Sequence, residues 1–185
     1  TGGTTVAGGT LVGSAASFGS GAIVDNGSLI LNQAGDAAMA NPISGSGILT
    51  KSGASTLNLT GTSSFSGATG VAEGRLAVNG SLAGSTVTVG SGASLGGNGT
   101  VGGVVAASGA TLAPGNSIGT LNVAGNVTFA ANSVYAVEAN AAGQSDRIAA
   151  GGSASLNGTV QVSAANGTYD PRTRTTILTA GGGVT

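Results

Sequence analysis

"GSGILTKSGASTLNLTGTSSFSGATGVAEGRLAV" (residues 45–78) returns to glycine at positions 45, 47, 53, 61, 67, 70 and 74, and sets single Leu, Ile, Val or Phe residues between small ones. Glycine weakens helices and strands alike, because it loses more backbone freedom on ordering than any other residue. Within this background "TLNL" (56–59) alternates apolar and polar, and every second side chain of a strand shares a face. The same alternation returns in "TVTV" (86–89), "TLNV" (120–123) and "VTF" (127–129).

The alternating stretches recur with a rhythm. Leu57, Leu76, Leu95, Leu112 and Phe129 are 19, 19, 17 and 17 residues apart. A second series, Ile48, Phe65, Val87, Val104 and Leu121, steps by 17, 22, 17 and 17. A longer similarity places residues 1–12 over 66–77, where Gly2/Gly67, Thr4/Thr69, Val6/Val71, Ala7/Ala72, Gly9/Gly74 and Leu11/Leu76 coincide. Asn-Gly at 26–27, 79–80, 98–99, 157–158 and 166–167 is expected to supply positive-φ turns. Short strands, tight corners and a return every 17–22 residues or so describe the coils of a β-solenoid. Such a fold has a thin column of interior rather than a spherical core, so small side chains suit it. A β-sandwich or barrel is the competing arrangement, with turn signals every 8–12 residues or so.

Composition narrows the choice. The 185 residues include 37 glycines, 3 prolines and no cysteine, with 3% aromatic and 6% charged residues. Disordered chains are usually charged and poor in β-branched residues, the opposite of this one. A formal charge of −1 argues against a nucleic-acid footprint, and no apolar run approaches a membrane span. Without cysteine there is no disulfide or thiolate metal site.

At residues 45–78, Gly47, Leu49, Lys51, Gly53, Leu57, Leu59, Gly61, Phe65, Gly67, Gly74, Leu76 and Val78 resemble the passenger-associated transport repeat of bacterial type V autotransporters. Phe65 stands where that family commonly has tyrosine. Downstream, "GASLGGNGTVGG" (92–103), "GATLAPGNSIGTLNVAGNVTF" (109–129), "YAVEANAAGQSDRIAAGGSASLNGTVQV" (135–162) and "TILTAGGGVT" (176–185) look like the end of an autotransporter passenger. The likeness is clearest over 45–185 and weakest over 13–44.

The resemblance implies a right-handed parallel β-helix (solenoid) with a C-terminal β-hairpin-type cap. Residues 1–132 would form the coils, and 133–185 an autochaperone-like cap promoting folding during secretion through a Gram-negative outer membrane to the cell surface. Its implied partners are the protein's own membrane β-barrel and upstream passenger coils, both outside this sequence. The alternative is an adhesin or self-association stalk that binds a host or neighbouring-cell surface. The sequence supports a change near residue 133. Six of the eleven charges (Glu138, Asp146, Arg147, Asp170, Arg172 and Arg174) and both tyrosines lie beyond it. Candidate structural residues of the cap are Tyr135, Val137, Asp146, Arg147, Ile148 and Leu156. Tyr135 and Tyr169 are expected to seal the core, and Asp146 or Arg147 to order a turn.

Little in the chain points to chemistry. With neither histidine nor cysteine, a histidine-based triad, a thiolate nucleophile and typical zinc sites are excluded. Asp25 and Asp36 are the one carboxylate pair with suitable spacing, and read as solvated loop residues. "GGNGTVGGV" (96–104) lacks the aspartate of the calcium-binding nonapeptide. An ice-binding surface needs a repeated Thr-x-Thr column, and Thr86-Val87-Thr88 has no equivalent at 57, 104 or 121. The expectation is a structural module with no catalytic, metal or cofactor site.

Overall fold

The computed structural model describes residues 2–185. The chain is all-β, 2% helical, with parallel strands stacked as a β-solenoid of about seven turns. Eleven strands build one sheet, seven a second, and three a short third sheet that covers only the N-terminal coils. Each strand rests on its equivalent one coil along, so the alternation of each coil falls in register with the next.

The interior consists of columns of stacked side chains. In the eleven-strand sheet Leu11, Leu29, Leu49, Thr69, Val87, Val104, Val127 and Ala154 lie one above another. Beside them run Gly13, Leu31, Lys51, Val71, Val89, Ala106, Phe129 and Leu156. In the seven-strand sheet the column is Ala37, Leu57, Leu76, Leu95, Leu112, Tyr135 and Val160. Leu57, Leu95 and Leu112 are completely buried. Each such leucine contributes about 1.5–3 kcal/mol over an exposed one. Thr69 is the polar member of its column. Ser85 donates its hydroxyl to the Gly67 carbonyl (2.6 Å) and so accepts the Thr69 hydroxyl at 2.7 Å.

The leucine rhythm holds from Leu57 to Leu112, but the next member of that column is Tyr135 rather than Phe129. Phe129 stacks on Ala106 in the other sheet, because residues 114–129 turn the corner and form two further strands there. The second series is similarly mixed. Val87 and Val104 are neighbours, whereas Leu121 stacks on Ile148 and Ile48 is 55% exposed. The similarity of 1–12 to 66–77 does not mark equivalent coil positions. Leu11 belongs to the eleven-strand sheet and Leu76 to the seven-strand sheet, so one strand–turn–strand unit serves two different corners.

The Asn-Gly corners also differ from expectation. Gly27, Gly80 and Gly99 are not among the positive-φ glycines. They are needed because coils approach closely: a Cβ would lie 2.8 Å from the Gly9 oxygen at Gly27, 2.1 Å from Gly61 O at Gly80, and 2.2 Å from Gly80 O at Gly99. The asparagines bond across coils instead. Asn26 Oδ1 accepts the Ser46 N–H (3.2 Å), Asn79 Oδ1 that of Asn98 (3.0 Å), and Asn98 Oδ1 that of Thr120 (3.2 Å).

The two ends of the rod are unlike. At the N-terminal end the 3-10 turn Ala15–Phe18 brings the buried Phe18 ring over Gly13, 2.7 Å from where a Cβ would lie. Toward the C-terminus the parallel ladder runs past residue 133 without a break. Val134–Ala139 carries Thr159–Ala164, and Arg147–Ala150 carries Leu178–Ala180. Antiparallel geometry in this region is confined to the bridge Ala139↔Ser145, so the strands of a hairpin-type cap are absent among the described residues.

Candidate functional site

Asp146 stands where three chain segments meet. Its Oδ1 accepts the N–H of Gly119 and its Oδ2 that of Glu138, each at 2.8 Å. The Asp146 N–H donates to Glu138 O (2.8 Å) and the Arg147 N–H to Gly119 O (2.9 Å). These bonds close a tight turn over 138–146, in which Asn140 Oδ1 accepts the N–H groups of Ala142 and Gln144, both at 3.1 Å. Asp146 is 2% exposed and its carboxylate is spent on backbone donors, whereas Arg147 is exposed. The pair is therefore not a surface ion pair. The junction also fixes residues 114–119, which lie against the outer face of the seven-strand sheet. There Arg75 Nη2 donates to Gly115 O (2.8 Å), and Asn116 Nδ2 donates to Asn79 Oδ1 (2.9 Å).

Tyr135 is buried one coil above Leu112, with its ring 5.6 Å from that of Phe129 and its hydroxyl donating to Ile177 O. Burial pushes its phenol well above its ordinary pKa. Val137 is buried, and Ile148 is enclosed between Leu121 and Leu178. Leu156 and Tyr169 depart from the expected burial, each being 40% exposed. Leu156 is the last member of its column, with nothing stacked beyond it. Tyr169 lies on the outside and donates to Ala165 O at 2.7 Å.

Asp25 and Asp36 do not come together. Asp25 sits in the three-strand sheet, fully buried rather than solvated, and Asp36 leads into the seven-strand sheet. Asp25 Oδ1 accepts the Gly27 N–H (3.1 Å), while Oδ2 has no partner. Burial pushes its carboxyl above its ordinary pKa, partly opposed by that bond. Asp36 Oδ1 accepts the Thr56 N–H at 2.7 Å.

Lys51 escaped the sequence reading as an interior residue, although its alternation with Leu49 was the available signal. It is 1% exposed, between Leu31 and Val71 in an otherwise aliphatic column. Its ammonium donates to the carbonyls of Gly53, Ser55 (2.6 Å) and Glu73 (2.9 Å), so the buried charge ties two coils at one corner. Burial lowers its pKa, opposed by the charges of Glu73 and Asp36. The charged groups described here are engaged chiefly in holding backbone, which is structural rather than catalytic chemistry.

Residues 49–78 match the family described as passenger-associated-transport-repeat. The matched segment holds Lys51, Phe65, Gly67 and Leu76, and runs through two strands of each large sheet. No curated protein matches the chain.

Proposed function

We propose that this chain is a structural part of an autotransporter passenger, a β-solenoid stalk whose C-terminal segment closes the rod and promotes its folding during outer-membrane secretion. The observation that carries the reading is the repeat match at 49–78, set in a continuous parallel solenoid. On this reading the chain is displayed at the cell surface, with its own membrane barrel and further passenger coils as partners.

The folding role draws support from how the C-terminal region is tied. Asp146 joins Gly119 to Glu138, and Tyr135 reaches Ile177, so contacts distant in sequence are closed by side chains. A segment that orders first offers the free edge of Val134–Ala139 and its neighbours to the preceding coils. Each added coil gains ladder bonds and stacked aliphatic contacts, and nearest-neighbour coupling then carries order along the rod.

Hydrogen exchange on the intact chain, paired with refolding of residues 1–132 and of 90–185, tests this. Slowest exchange within 109–156, with only the C-terminal piece refolding, is the expected result. Independent refolding of 1–132 together with earliest exchange in 109–156 overturns the folding role.

A further inference from the structure

The strand Thr159–Ala164 is the outermost of the seven-strand sheet. It continues the interior columns, with Val160 in register with Tyr135 and Val162 with Val137. Yet Val160 is 48% and Val162 58% exposed, while Tyr135 and Val137 beneath them are buried. Side chains in inward register therefore face solvent, because no further strand closes this level. Next to them Phe129, Tyr135, Leu156, Val160, Ile177 and Leu178 line an apolar hollow of about 80 Å³.

The backbone of the strand is equally open. The Thr159 N–H donates to Ser133 O and the Ala165 N–H to Ala139 O, so odd-numbered amides face the sheet. Alternation then turns the N–H and C=O groups of Val160, Val162 and Ala164 toward the free edge. "TVQVSA" has no charge, proline or glycine, so it lacks the usual devices that protect an edge strand from pairing.

We propose that this end of the rod is an acceptor for one extended strand of a partner polypeptide. The partner strand adds to the free edge of Thr159–Ala164 and carries aliphatic side chains at alternate positions, one of which enters the hollow beside Tyr135 and Leu156. Main-chain bonds supply affinity and the hollow supplies selection, as in other strand-addition complexes. The existing ladder sets the partner's chemistry, because each level places an aliphatic or aromatic side chain over the one before it. A second copy fits less well. Its own C-terminal end is also hollow, and two facing hollows fill neither, while its N-terminal end is closed by Phe18. The inference rests on the rod's geometry and is independent of the secretion reading.

The test titrates the full, isotope-labelled chain with a blocked synthetic peptide of sequence "SVYAVEA", that of Ser133–Ala139, on which the edge strand itself rests. Saturable shifts centred on the amides of Val160, Val162 and Ala164, with their exchange slowed about tenfold or more, are expected. Val160→Lys, at an exposed position, should leave circular dichroism and melting unchanged and weaken the peptide about tenfold or more. If that variant fails to fold, Val162→Thr serves instead, with the same weakening expected. Absent or scattered shifts, or equal binding by the folded variant, overturn the proposal. Protection of the same amides without peptide, together with a dimeric mass in sedimentation, makes the occupant a second copy and also overturns it.

Discussion

The carboxylate of Asp146 accepts the backbone N–H of Gly119, 27 positions earlier, at 2.8 Å. Both oxygens take buried backbone donors, so the side chain stands in for two ladder bonds at a corner where the strands separate. Asp146→Asn puts an amide N–H₂ against one of those donors. A loss of about 1–3 kcal/mol is expected in chemical denaturation, larger than for Arg147→Gln at the exposed neighbour.

Lys51 and its three carbonyl partners make a comparable prediction in the repeat segment. Lys51→Met keeps much of the volume but leaves the oxygens of Gly53, Ser55 and Glu73 without their donor. A loss of about 2–4 kcal/mol is expected, measured as a lower urea midpoint. A stability equal to or above the parent would show that the charge costs more than its bonds return.

Asp25 predicts a pH dependence. Its carboxyl is raised above 3.8 in the folded chain, so the folded state holds its proton at a pH where the unfolded state has released it. Stability from this group is therefore present at low pH. It falls as pH rises from about 3.8 through the folded value, and is level beyond it. Asp25→Asn should remove that slope and raise the urea midpoint at neutral pH relative to the parent. Parallel pH profiles for parent and variant contradict the assignment.

Gly67 and Gly70 separate close approach from chain flexibility. A Cβ at Gly67 would lie 1.9 Å from Gly47 O, whereas at Gly70 it meets nothing within 4 Å. Gly67→Ala should cost about 1–3 kcal/mol by forcing two coils apart. Gly70→Ala should stay within about 0.5 kcal/mol of the parent. Thermal melts of the two variants side by side distinguish them.

Leu112 and Leu156 test the interior column against its open end. Leu112→Ala removes a fully buried side chain and should cost about 2–5 kcal/mol. Leu156→Ala, at a site 40% exposed, should cost under about 1 kcal/mol. Equal losses would mean that the last coil is covered in solution.

The sequence by itself determined that the chain is a β-solenoid. Alternation names the inward residues of each strand, and the return of Leu57, Leu76, Leu95 and Leu112 names the stacking, because equal coils keep equal spacing. Lys51 was legible in the same way, two positions after Leu49, but its charge concealed it until three carbonyls were seen around its ammonium. The Asp146 turn showed only as a short charged segment, since its partners Gly119 and Glu138 are joined to it by folding alone. What the tertiary structure decided is which sheet each strand joins. Corner lengths change between Leu112 and Tyr135, and a spacing cannot say whether added residues turn a corner or extend a strand. Phe129, Leu11 and the Asn-Gly glycines were therefore placed by the closing of one coil on the next. The exposure of Leu156, Val160 and Val162 was settled the same way: their pattern is that of interior residues, and only the absence of a further level turns them to solvent.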